Sequence, residues 1–238
     1  GQMAVIYGQQ NLIADELEVL ENYCKYALLA DDTLSYIIGL ERRVGPLYRM
    51  DDTAGVFRTT DLVCSMYGRR GLKKYAAKSC ATAIYVCLKN GLYEKAQRMM
   101  ANYEREAEIY DDRGQILPGH ELFYEFKGLL YLGLSKLDSA EISYHALLDS
   151  PYKQEAYRGL LTLYSRKGET DSVTKYAPLY ESTLAEWATR RQASAVIQSA
   201  AIYKYERNAN LAKEKKHQML QAWYIILLLT MLLLFVVL

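Results

Sequence analysis

Residues 121–181 decide the fold: ELFYEFKGLLYLGLSKLDSAEISYHALLDSPYKQEAYRGLLTLYSRKGETDSVTKYAPLYE, from Glu121 to Glu181. Tyr124 is followed by Gly128, Tyr131, Ala140, Tyr144 and Pro151. Tyr157, Leu161, Tyr164, Gly168, Val173 and Ala177 then fall at nearly the same offsets, 33 residues later. Each position has a physical job in a pair of helices joined by a turn. The small residues stand where two helices cross closely, and the aromatics fill the gap to the next hairpin. Gly168 lets the chain turn between the two helices.

This spacing resembles the tetratricopeptide repeat, a helix-turn-helix unit of about 34 residues. The resemblance implies an all-α chain: a right-handed α-solenoid of antiparallel helix hairpins, built to bind rather than to catalyse. In that family the first helix of each hairpin lines a concave groove. Carried to the matching offsets, the groove would be formed by Lys78, Tyr85 and Lys89 from an earlier hairpin. Glu125 and Leu129 would come from the next, and Arg158, Thr162, Ser165 and Arg166 from the last. Such a groove is mildly basic with aromatic and apolar elements, and suits an extended or helical peptide of a protein partner. The members that clamp chaperone-tail carboxylates use Lys and Asn where Ala81 and Tyr85 stand here, so that activity is not expected.

Lys and Arg total 29 against 28 Asp and Glu, and a net charge of +1 gives no long-range attraction for nucleic acid. With 4 prolines in 238 residues and abundant Ala, Leu, Glu and Lys, the composition favours helices. Most of the 22 tyrosines lie at helix-periodic positions and read as large packing residues whose hydroxyls reach water. Cys24, Cys64, Cys80 and Cys87 sit in apolar helical patterns and read as small hydrophobes. Cys80 and Cys87 share a helix face but lie roughly 10 Å apart by helical rise, too far for a disulfide; a Cys24–Cys64 bridge is left open.

Upstream, apolar periodicity predicts a helix from Gln10 to about Asp31, and a second from Leu34 that ends at Gly45-Pro46. A third is predicted from Thr53 to Tyr67, followed by a turn at Gly68–Gly71. Leu72 to Leu88 and Tyr93 to Tyr103, joined at Asn90-Gly91, form another hairpin, so residues 77–110 read as a degenerate repeat and 34–67 as a weaker one. The stretch 111–120 adds about ten residues to the period and reads as a surface loop at one edge of the array.

After Pro178 there is neither Gly nor Pro, so one helix can run from Leu179 to about Gln221. Leu184, Ala188, Ala195, Ile202, Tyr205, Ala209 and Ala212 mark a 3.5-residue seam, a candidate homodimer contact. From Ala222 to Leu238 only Thr230 is polar; Trp223 and Tyr224 stand at the start, and Lys213, Lys215, Lys216 and His217 precede it. That composition predicts a single membrane span, which is expected to continue past Leu238. The resulting organisation is 1–52, an N-terminal helical region; 53–185, the repeats; 186–221, a capping and connecting helix; and 222–238, the span.

The order of parts resembles bacterial membrane sensor-regulators with an extracytoplasmic repeat domain, a long helix, one span and a cytoplasmic output module. The repeat block carries that resemblance, with Tyr203, Tyr205, Arg207, Asn208, Leu211, Ala212, Glu214 and Lys215 before the span. It implies a single-pass, periplasmic sensor of a peptide or protein. Gly1 and Gln2 ahead of Met3 fit either removal of a leader or a Gly1 foreign to the native chain, with no signal peptide left to read. The competing reading is a tail-anchored cytosolic adaptor, which the basic residues before the span favour under the positive-inside rule. A third is an enzyme built on the 111–120 loop. No catalytic motif supports it, the histidines His120, His145 and His217 share no ligand spacing, and no cofactor is expected.

Overall fold

The structure, a computed structural model, describes the backbone of residues 2–237; side chains are described for 2–190 and, beyond them, for 192, 194, 203, 204, 207, 208, 210, 211, 213–221 and 223. Its framework is a joint used again and again. Asn11, Asp31, Asp51, Gly71 and Gly91 all have positive φ, between 55° and 71°, and follow one another at intervals of 20 residues. At each, the next residue donates its N–H back to a carbonyl five residues earlier: Leu12 to Tyr7, Asp32 to Ala27, Asp52 to Leu47, Leu72 to Tyr67 and Leu92 to Cys87, at 2.9–3.0 Å. The positive-φ residue itself donates to the carbonyl three residues before it. These are Schellman closures, which satisfy the orphan carbonyls of a helix end and reverse the chain at once. Asp32 and Asp52 then cap the next helix, accepting from the backbone N–H groups of Ser35 and Gly55. One residue therefore finishes one helix and begins another.

Eleven helices are described: α1 (Gln2–Gln9), α2 (Ile13–Leu29), α3 (Thr33–Arg49), α4 (Thr53–Arg69), α5 (Lys73–Lys78), α6 (Ala81–Lys89), α7 (Tyr93–Glu106), α8 (Leu122–Gly133), α9 (Leu137–Leu147), α10 (Lys153–Lys167) and α11 (Thr170–Val237). The chain is all-α; among the described residues the only β pairing is an isolated bridge between Tyr110 and Ile116. Four boundaries differ from expectation, one of them the helix expected from Leu179, which begins at Thr170. The helix expected from Gln10 starts at Ile13, because Asn11 adopts a left-handed turn. Gly45-Pro46 does not end α3. Pro46 lies in its last turn, buried, where its carbonyl still accepts from Met50, and the missing N–H removes one bond of the ladder. The stripe from Leu72 to Leu88 is two helices, α5 and α6, with a bend at Ser79-Cys80, where Ser79 Oγ lies 2.8 Å from Tyr75 O.

The chain divides into two units, Gly1–Thr189 and Arg190–Leu238. In the first, most successive helices pack against one another, α5 packs on α4 and α7, and α3, α6, α8 and α10 also pack in that order as one layer. Its core includes Phe123 and Phe126, with Tyr103 stacked on Phe123 at 5.6 Å. A second cluster centres on Tyr144, Leu160, Leu163 and Tyr164, with Tyr176 stacked on Tyr164 at 5.5 Å. Tyr144 is wedged between two glycines: a Cβ on Gly128 would come within 2.5 Å of its ring, and one on Gly159 within 2.2 Å. The 111–120 stretch is tied at its base by Ala107 and Ile109, both fully buried, while Asp111 to Gln115 are exposed. Asp111 Oδ1 accepts from the N–H groups of Arg113 and Gln115, which closes the tip as a tight turn.

The second unit is helical to Val237, as the continuation of α11, which passes through Pro178 without a break. Among the described residues no helix is long and apolar enough to cross a membrane. The expected span, 222–238, lies outside the described side chains except at 223, as do Ala195, Ile202, Tyr205, Ala209 and Ala212 of the seam. Leu184 and Ala188, the seam positions in the first unit, are exposed.

Candidate functional site

Helices α6, α8 and α10, with Tyr93 of α7 and Tyr144 of α9, line a cleft of about 240 Å³. Six of the nine residues expected in a groove line it: Lys89, Glu125, Leu129, Arg158, Thr162 and Arg166. Helical periodicity explains the set. Arg158, Thr162 and Arg166 are four residues apart on α10, and Glu125 and Leu129 are four apart on α8, so each group presents one stripe.

At the centre is an ion pair. Arg158 Nη2 donates to Glu125 Oε1 at 2.7 Å, and Glu125 is 3% exposed. Burial pushes the Glu125 carboxyl above its usual range, and Arg158 opposes that shift. The same guanidinium reaches Tyr85 OH at 3.3 Å. Tyr48 meets the Tyr85 ring edge-on at 5.8 Å, and Lys89 Nζ stands 5.5 Å from the Tyr85 ring centroid. This cation–π contact leaves the ammonium of Lys89, an exposed residue, free to meet an anion. A second cleft of about 240 Å³, lined by Tyr48, Asp51, Thr53, Val56, Val86 and Asn90, shares Lys89 with the first.

One atom in the cleft is unsatisfied. Tyr144 lines it and is 1% exposed, yet its hydroxyl has no hydrogen-bond partner. A buried hydroxyl left so is unfavourable by roughly 1–3 kcal/mol. Burial, followed by the nearby Glu125 carboxylate, holds this phenol well above its ordinary pKa, so it is neutral and able to donate. With Lys89, Arg158 and Arg166, Tyr144 gives the cleft a lining rich in hydrogen-bond donors; Glu125 and Glu155 offset part of the charge.

The remaining expected residues lie elsewhere or act differently. Lys78 Nζ is 3.1 Å from His120 Nε2 and does not line the cleft. Ser165 is exposed on α10 outside it, and Tyr85 reaches it through Arg158. Arg166 also donates to Leu132 O at 3.0 Å, satisfying a carbonyl in the last turn of α8. Tyr48, Tyr93, Tyr144 and Glu155 belong to the clefts but not to the expected set. Glu155 was within reach of sequence reasoning, because it precedes Arg158 by three residues on the same helix face.

Among the described residues no group of His, Cys, Asp and Glu is placed to hold a metal ion. No family model matches the chain, and no curated protein matches it either.

Proposed function

We propose that residues 1–189 are a peptide-binding module of the tetratricopeptide type. In this reading the α3–α6–α8–α10 layer is the groove of an α-solenoid, and a partner segment lies across it. The observation that carries the reading is the unpartnered, buried hydroxyl of Tyr144 in a cleft lined by Lys89, Arg158 and Arg166. An apolar crossing would leave no polar atom there. A ligand carbonyl or carboxylate oxygen, admitted by a shift of the side chains that cover the hydroxyl, would satisfy it and remove the penalty that the free protein carries. We further propose that residues 222–238 anchor the module in a membrane as a single-pass protein and that α11 links the two. Binding in the groove would then be reported across the bilayer.

The test is selection of displayed random peptides against the full chain in detergent or nanodiscs. Enriched peptides should carry an acidic or carbonyl-rich centre, and should lose affinity about tenfold or more against Tyr144→Phe, for one hydrogen bond to a charged group. Enrichment indifferent to Tyr144→Phe and Lys89→Glu together would remove the groove from the reading. Orientation is read separately, by protease protection of an epitope inserted at position 115. Cleavage in spheroplasts, whose inner membrane is intact, places the module outside the cytoplasm; protection until that membrane is lysed favours the tail-anchored adaptor.

A further inference from the structure

Two thiols that are sixteen residues apart in the chain meet at the bend between α5 and α6. Cys64 on α4 and Cys80 at the bend have their Sγ atoms 3.1 Å apart. Both sulfurs also face Ala76 O, at 3.1 Å from Cys64 and 3.4 Å from Cys80. Each residue is part-exposed, whereas Cys24 and Cys87 are buried, at 5% and 0%. The pair that touches is therefore also the pair that a reagent can reach. A disulfide needs the sulfurs at about 2.05 Å, so each need move only by roughly half an ångström.

The surroundings favour the chemistry. Either thiol can be the donor in this contact; the contact holds the Cys80 thiol below its ordinary pKa, and together with burial it pushes Cys64 up. The first proton therefore leaves the pair readily as an S–H···S⁻ arrangement, and the thiolate is the attacking species. Next to it, Ser79 Oγ donates to Glu41 Oε1 at 2.8 Å and Tyr67 OH to Glu41 Oε2 at 3.0 Å. These bonds fix α3, α4 and the bend around the sulfurs.

We propose that Cys64 and Cys80 are a reversible oxidation site that exchanges with a low-molecular-weight disulfide of the glutathione class. The Cys80 thiolate attacks one sulfur of the reagent, whose S–S bond breaks and releases one thiolate. Cys64 then loses its proton to solvent and attacks Cys80 Sγ in the mixed disulfide, expelling the second thiolate. Two protein thiols are oxidised by two electrons, and one reagent disulfide is reduced to two thiols. The product ties α4 covalently to the joint that carries Lys78 and leads into Tyr85.

Incubation of the full chain with oxidised glutathione tests this directly. Intact mass should fall by two hydrogens, with no glutathione retained. Digestion should yield a linked peptide whose fragmentation places the bond at Cys80 rather than Cys87. The oxidised form should melt roughly 5–10 °C higher than the reduced one, and dithiothreitol should reverse it. Cys64→Ser should stop the reaction at a glutathione adduct on Cys80. Retention of four free thiols, a stable adduct in the unsubstituted protein, or a bond to Cys24 or Cys87 would each overturn the proposal. The wild-type mass readout stands whether or not the serine variant folds.

Discussion

Arg158 Nη2 donates at 2.7 Å to Glu125 Oε1, joining α10 to α8 through a carboxylate that water hardly reaches. Arg158 itself is 40% exposed along its side chain, so the pair is half solvated and its net contribution is modest. Removing the cation is a different matter, because it strands Glu125. Arg158→Ala should lower stability by about 2 kcal/mol, and Arg158→Ala combined with Glu125→Gln should recover much of that loss. Urea denaturation of the three proteins measures it; an additive double mutant would show that the two groups do not couple.

Tyr144 offers a substitution with opposite signs for stability and for binding. Removing its partnerless hydroxyl in Tyr144→Phe should stabilise the free protein by up to about 1 kcal/mol. The same change should weaken any peptide selected by the wild-type groove. A hydroxyl with only a packing role would affect neither measurement.

The ring of Tyr144 also makes Gly128 and Gly159 hard to replace. A methyl group at either position meets a fully buried ring that has nowhere to swing. Gly159→Ala, with the shorter approach, should destabilise by about 2–3 kcal/mol despite the higher helix propensity of Ala. Thermal melts of the two alanine variants, with Tyr144→Ala as the compensating partner, check this.

Gly68 and Gly71 are three residues apart and should respond in opposite directions. Neither Cβ would touch anything, so only the backbone decides. Gly68 is inside α4, and Gly68→Ala should stabilise by about 0.5–1 kcal/mol through reduced chain entropy. Gly71 has φ of 71°, and Gly71→Ala should destabilise by about 1–2 kcal/mol. Melting temperatures that moved the same way for both would contradict the left-handed joint.

His120 gives the 111–120 loop a pH dependence. Burial, and then Lys78, lower its pKa below the ordinary 6.5. The folded protein thus binds the proton less readily than the unfolded chain. Its contribution is fully present above 6.5 and is lost as pH falls through the window beneath that value. Between pH 7 and 5.5 the denaturation midpoint should drop more for the wild type than for His120→Gln; equal slopes would assign the change to other groups.

The sequence made the hairpins of 121–181 readable because Gly128, Gly168 and Tyr144 combine unusual backbone or size demands with helical spacing. The residues that converge on the cleft were readable for the same reason, since i and i+4 positions share a face. The upstream half obeys a different interval, and a template of about 34 residues hides it. Asn11, Asp31 and Asp51 adopt a conformation that Gly adopts more easily, so a search for glycine finds only Gly71 and Gly91 of the five joints. Tertiary placement was the other hidden part. Nothing in spacing brings Cys64 to Cys80, or turns Lys78 toward His120 and away from the cleft.

The joints at 11, 31, 51, 71 and 91 have a bearing on how this chain can change in length. Each residue added to a helix rotates everything beyond it by roughly 100°, and a three-residue joint has no slack to absorb the error. Insertions and deletions in residues 12–90 are therefore expected to be tolerated only as whole helix-plus-joint units, which restore the phase of every later face. The exposed tip at 111–115, which follows the buried Ala107 and Ile109, is the place where odd lengths can be gained or lost without a change of phase.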